Sequence, residues 1–140
     1  MGKSLRKSVR SYMAVITEHL YKWEHFRHSL DVGMDWIDSI NIAREEIEEI
    51  FKESPSLKEK TQEWKFLQSA WESAISRLVS WFENPKNALL VKANFKGKLL
   101  TKKDFLQECP YTFEQVMEYE PWVREFMERA QRVKRGKTER

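Results

Sequence analysis

The chain has 140 residues, a net charge of +3 and one cysteine, Cys109; this length suits a single domain with a real core, and a lone cysteine excludes an internal disulfide and suits a reducing cytoplasm. Hydrophobic residues make up 41% and charged residues 34%, which excludes a disordered chain, and no apolar run approaches the roughly 18–20 residues that span a membrane. Six Trp and eight Phe require burial, whereas four Gly and four Pro leave few turns, so long helices fit better than a many-stranded sheet.

The N-terminus is basic but has no apolar h-region, so no secretory signal is expected, and Arg6 breaks the myristoylation pattern that Gly2 would open. The first helix is predicted over residues 4–30. Leu5, Val9, Tyr12, Ile16, Leu20 and Trp23 step by three or four and form one apolar stripe. Residues 29–34, with Asp31 and Gly33, read as a tight turn. A second helix is predicted over 34–52, with Trp36, Ile40, Ala43, Ile47 and Ile50 inward and Arg44, Glu45, Glu46, Glu48 and Glu49 on the wet side. Ser54-Pro55 stops it, because a residue before proline disfavours the α region. Ser56 and Glu59 then have the spacing of a capping box for a third helix, running to about residue 82. Its seam is Trp64, Leu67, Trp71, Ala74, Leu78 and Trp81.

Asn84-Pro85 caps a short helix to about Phe95, stopped at Gly97. Thr101 with Asp104 has the spacing of another capped turn. Cys109-Pro110-Tyr111 is expected to be extended, and Thr112 with Gln115 forms a second capping box for a helix over 112–119. Pro121 opens a last helix, 122–133, with Trp122, Phe126 and Ala130 on one side. The tail 134–140 is expected to fray. The expected fold is all-α: one domain, residues 1–140, with three long antiparallel helices and shorter C-terminal helices wrapped on one end or side.

The small net charge hides a segregation. Residues 1–10 carry +4, residues 84–103 carry +6 and residues 129–140 carry +5, which leaves −12 for the rest. Such a division either attracts polyanions or simply solvates the ends of an acidic body.

Several motifs carry a family likeness. They are His19-Leu20-Tyr21-Lys22-Trp23, then Trp36 before an acid and arginine run, then Glu53-Ser54-Pro55-Ser56-Leu57-Lys58, and finally Cys109-Pro110-Tyr111-Thr112-Phe113-Glu114-Gln115-Val116. In that order and spacing, over residues 1–122, the chain resembles the bacterial family catalogued as domain of unknown function 29. The resemblance implies a small helical protein and brings no established activity. It also marks His19, Trp23, Trp36, Cys109, Pro110, Tyr111, Thr112 and Gln115 as motif residues without an assigned role. Members of that family usually carry a further N-terminal helix. If it is absent here, the surface it covers is expected to be apolar and exposed, and to become an interface. Residues 84–103 also look longer and more basic than the family's usual approach to its Cys-Pro-Tyr-Thr segment.

His19 borders the apolar stripe, so it is either a hydrogen-bonded, half-buried histidine or a general base with Cys109 as a conceivable partner. Cys109 precedes a helix, whose dipole can acidify a thiol, but a small buried residue under the turn accounts for it as well. His25 and His28 lie three apart, yet a metal would need a third ligand from elsewhere, and the strong H-E-x-x-H pattern is missing. The chain has no Gly-rich phosphate loop and no dinucleotide motif, so neither a metal nor a cofactor is expected and no small-molecule substrate is evident.

The expected function is a non-catalytic helical interaction domain that binds a protein partner or a second copy. The alternative is electrostatic association with nucleic acid through Lys92, Lys96, Lys98, Lys102, Lys103, Arg132, Lys134 and Arg135. An enzyme built on His19 or Cys109 is the remote third reading.

Overall fold

Six α-helices form among residues 2–27, 31–87 and 101–138, which a computed structural model of the chain describes. They are α1 (Gly2–His25), α2 (Met34–Glu53), α3 (Pro55–Thr61), α4 (Trp64–Glu83), α5 (Phe113–Glu118) and α6 (Pro121–Thr138). Two short 3₁₀ turns, Pro85–Asn87 and Lys102–Asp104, complete the order.

α1 ends before the expected residue 30. Phe26 and Arg27 already leave the helix, and 28–30 fall outside the described residues. The turn into α2 is built on Gly33, whose φ of +108° places it in the left-handed region. A side chain there would also sit 2.8 Å from the Trp23 ring, so both backbone and packing call for glycine.

The expected third helix is two helices. α3 stops at Thr61, and Glu63 takes an extended backbone before α4 begins. Fully buried Thr61 turns its hydroxyl back to the Lys58 carbonyl at 3.1 Å. The Ser56–Glu59 capping box does not form, because Pro55 is itself the first helical residue and Ser56 is already inside the helix. Proline suits that position, since its φ is preset and its missing N–H is not needed there. The break leaves Trp64 in the first turn of α4 and half exposed, a correction to the expected seam. Leu67, Trp71, Ala74 and Leu78 are buried as the spacing requires, with Ala70, Ile75 and Phe82 beside them.

α1 is the centre of the bundle, packed along α2 on one side and α4 on the other. Glu18 meets Arg77, Lys22 meets Trp81, and Phe26 meets Phe82. α4 therefore runs parallel to α1, as an up-down-up order demands. α3, α5 and the segment after Thr101 cover the rest of α1, so Ile16, Thr17, Glu18 and every residue from Leu20 to Trp23 are buried. A stretch of helix buried in this way must pair whatever polar groups it carries. Thr17 does so by donating to the Met13 carbonyl at 3.0 Å.

The Thr101–Asp104 turn forms as expected, with the Asp104 carboxylate accepting from the Thr101 N–H at 2.7 Å. The short helix expected up to Phe95 appears as the Pro85–Asn87 turn, and its remainder lies outside the described residues. The last helix runs on to Thr138 rather than ending near 133. Trp122 is buried and Phe126 half-buried, but Ala130 is exposed, because the docked part of α6 ends near Arg129. Among the described residues, no helix is long and apolar enough to cross a membrane.

Candidate functional site

The motif residues of α1 build an internal ion cluster. Glu18 and Lys22 sit one helical turn apart and both are buried. The Lys22 ammonium donates to Glu18 Oε2 at 3.1 Å, and Arg77 Nε–H donates to Oε1 at 2.8 Å. The same ammonium lies 4.6 Å from the centre of the Trp81 ring and 5.8 Å from that of Trp36, so aromatic faces replace part of its water shell. Burial lowers the Lys22 pKa, and the Glu18 carboxylate opposes the shift. The cluster opens on a shallow cleft of about 490 Å³ between α1 and α4, where Ser76 and Ser80 join the lining. Half-buried Trp36, singled out only as a motif residue, is here one wall of the Lys22 site, edge-on to Trp81 at 6.1 Å.

His19 lies at the border of this cluster. Its Nδ1–H donates to the Val15 carbonyl at 2.6 Å, with Glu18 Oε2 3.2 Å away. Burial is the main reason its pKa falls below the usual value, so the neutral imidazole prevails at pH 7. Trp23, four residues on, anchors the far end of the chain. Trp122 and Phe126 meet its ring edge-on at 6.0 and 6.3 Å, and the Arg27 guanidinium stacks 3.6 Å from its centre. Arg27 also donates to both carboxylate oxygens of Glu125, at 3.1 and 3.0 Å.

The second motif is held by α4 and α1 together. Gln68 accepts from the Cys109 N–H at 2.9 Å and donates to the Gln107 carbonyl at 2.6 Å, while the Trp71 indole N–H donates to Leu106 at 2.8 Å. The Tyr111 hydroxyl donates to the Glu24 carboxylate, which also accepts from the Tyr119 hydroxyl at 3.1 Å. Burial first, then the hydrogen bond to Glu24 and its charge, raises both phenol pKa values. Half-buried Pro110 holds the bend, and Thr112 and Gln115 complete the expected capping box at 3.1 and 2.9 Å.

Arg44 was expected on the wet side of α2 and is instead buried. Its guanidinium donates to the carbonyls of Val116, Gln115 and Tyr119 at 2.8, 3.2 and 2.8 Å. These are carbonyls at the end of α5, where the helix leaves acceptors open; that of Gln115 also accepts from the Tyr119 N–H at 2.9 Å. The three come from residues more than 70 positions away, so no local pattern in the sequence marks Arg44 as buried.

His19 and Cys109 are thus engaged separately. His19 bonds back within α1, while the Cys109 thiol donates to the Tyr111 carbonyl at 3.4 Å. Burial pushes the thiol up to about 11, where the thiolate needed for nucleophilic attack is scarce at neutral pH. We expect a soluble disulfide reagent to label Cys109 in the native protein at least ~100-fold more slowly than in denaturant at mildly alkaline pH. Equal rates would show that the thiol is not buried. His25 stacks against Tyr21 with ring centres 4.3 Å apart, and His28 lies outside the described residues. Among the described residues, no three His, Cys, Asp or Glu side chains gather as a metal site.

The described basic residues of the nucleic-acid reading lie on two separate elements. Lys102 and Lys103 are exposed on the turn against α4, whereas Arg132 and Lys134 are exposed on the last turns of α6, which also carries Arg135. Lys92, Lys96 and Lys98 lie outside the described residues. A basic groove missed by the sequence analysis lies at the other end of the bundle. Arg6 and Arg10 of α1, Lys60 of α3 and Lys65 of α4 surround it, with Glu63. Arg6 and Arg10 belong to the basic run of residues 1–10, but Lys60 and Lys65 come from two other helices, so no single charge run announces the groove.

A second groove has the opposite character. It lies between α2, α3 and α5, has a volume of about 280 Å³, and is floored by Phe51, Phe113 and Met117. Glu48, Glu114 and Glu118 rim it, with Lys58 and Gln62 on the α3 side.

A family model described as "Domain of unknown function DUF29" matches residues 1–122. The match takes in the ion cluster, the Cys109–Gln115 segment, Arg44 and the groove, and it ends at the second residue of α6. No curated protein and no solved structure matches the chain.

Proposed function

The chain belongs to the DUF29 family, and on that footing we propose that it is a helical protein-interaction module that associates with a second copy of itself. The observation that carries this reading is the uncovered face of α6. Val123, Met127 and Val133 are three of the seven large hydrophobic side chains exposed among the described residues. At 100° per residue they fall, with exposed Ala130, within an arc of about 120°. Lys134 falls inside that arc and Arg132 outside it. Exposed apolar side chains gathered on one helix face in this way suit an interface.

The chemistry inside the domain supports the same reading. The ionisable motif residues Cys109 and Tyr111, with Glu24 next to the first motif, are bonded to other protein groups and hold helices and loops together. A buried free thiol suits a reducing compartment such as a bacterial cytoplasm. A second reading, electrostatic association with nucleic acid, is favoured by the groove of Arg6, Arg10, Lys60 and Lys65.

Size-exclusion chromatography with light scattering, combined with the nucleic-acid-to-protein absorbance ratio of the peak, separates the two. The self-associating module should elute as a dimer of the 16.9 kDa chain, free of nucleic acid. A monomer that carries nucleic acid and releases it in strong salt would replace the first reading with the second.

A further inference from the structure

We propose that the groove between α2, α3 and α5 is the receptor for the part of α6 from Met127 onward of a second copy of the chain, so that each copy lends the end of its last helix to the other. This rests on the self-association reading and names its surface.

Groove and helix complement each other in three respects. The first is charge. The lining of the groove has three carboxylates, Glu48, Glu114 and Glu118, against one lysine, Lys58. Residues 129–138 hold five basic residues and no acid. The second is polarity. Phe51, Phe113 and Met117 line the groove only half covered, with the two phenyl rings 6.3 Å apart. Met127 and Val133 are about 60% exposed and need such a floor. The third is placement. Trp122, Glu125, Phe126 and Arg129 dock α6 on its own chain, against Trp23, Arg27 and Asp31. Every side chain from Ala130 to Lys134 is exposed, so the helix presents a stiff basic arm.

An amphipathic helix laid in an apolar groove is a recurrent recognition mode, with anchors one helical turn apart. Here Met127, Ala130 and Val133, spaced by three residues, are the anchors, and Arg132 and its neighbours meet the acidic rim. Each copy offers one groove and one arm, so reciprocal docking closes a two-fold dimer. The groove lies within the DUF29 match and the arm beyond it. The arm is therefore what this chain adds to the matched domain.

The test is sedimentation velocity on the full-length protein and on Met127→Asp (arm) and Met117→Asp (groove). The exposed rim variant Glu114→Arg serves as a second groove variant should Met117→Asp unfold. Wild type is expected to be a dimer, and each variant a monomer with unchanged helix content. An equimolar mixture of an arm variant and a groove variant should recover a mixed dimer, because one intact arm then meets one intact groove. Wild type that dimerises while all three variants do so equally well overturns the groove proposal and leaves self-association standing. Monomeric variants that never recover a mixed dimer overturn it as well. Wild type that stays monomeric up to high micromolar concentration overturns both.

Discussion

Replacing Arg44 with alanine is expected to cost the fold about 3 kcal/mol, a large share of the ~5–15 kcal/mol that holds a typical domain. The guanidinium binds three carbonyls at the end of α5, and its centre lies 5.9 Å from the Trp122 ring at the start of α6. Truncation strips the Val116 and Tyr119 carbonyls of this donor, and leaving buried acceptors unpaired is costly. It also removes the tie that brings α5 and α6 to α2. Arg44→Lys should recover less than half of the loss. A lysine keeps the charge, but its single ammonium cannot span three carbonyls with the planar fork of a guanidinium. Urea unfolding of the three proteins measures this directly. An Arg44→Ala protein within ~1 kcal/mol of wild type would mean that α5 holds itself in place.

Glu18→Leu is expected to cost about as much, ~3–5 kcal/mol, for a different reason. Glu18 is the counter-charge of Lys22, and the two side chains are only 6% and 5% exposed. Removing the carboxylate strands an ammonium inside the bundle with another cation, Arg77, close by. The ring faces of Trp36 and Trp81 offset only part of that cost. The informative comparison is the double variant Glu18→Leu/Lys22→Met. Replacing both members of a buried pair by apolar residues is often nearly neutral, so the double variant should regain ~2 kcal/mol or more over Glu18→Leu alone. A double-mutant cycle in urea reads the coupling, and strictly additive effects would show that Lys22 reaches water without Glu18.

Both predictions concern residues inside or beside the motifs, and both locate the role of those motifs in joining helices. Glu18 and Lys22 join α1 to α4, Glu24 joins α1 to the Tyr111 segment and Tyr119, and Trp23 joins α1 to α6. Among the described residues, exposed groups with no such role include those on α6, in the two grooves and in the cleft between α1 and α4.

Local physics was readable from the amino-acid order alone. The 3.6-residue spacing of Val9, Ile16 and Leu20, and of Ile40, Ala43 and Ile47, reports which helix faces are apolar, and these residues are all buried. Thr112 with Gln115 and Thr101 with Asp104 cap their own turns within four residues, so chain neighbours settle the outcome. The positive φ at Gly33 follows equally from a short turn between two long helices. Residues 84–103 showed their charge in the same way, though only the ends of that stretch belong to the described structure.

Contacts between distant segments were decided by the tertiary structure. A stripe of six apolar residues on α1 implies one buried face, but α2, α4 and the C-terminal segments enclose the helix from Ile16 to Trp23. That enclosure, invisible to periodicity, buries Glu18 and Lys22 and makes an ion cluster of them. Arg44 looked solvated because its neighbours in sequence are acids, whereas its partners are carbonyls more than 70 residues away. The split between α3 and α4 belongs to the same class, since a run of good helix formers carries no sign that Thr61 will be buried and Glu63 extended. The sequence by itself determined the helices, their apolar faces and their caps, because those depend on residues within one or two turns. Only the tertiary structure decided which charges are buried, which cysteine and histidine are engaged, and which faces are left for a partner, because each depends on what the fold places opposite them.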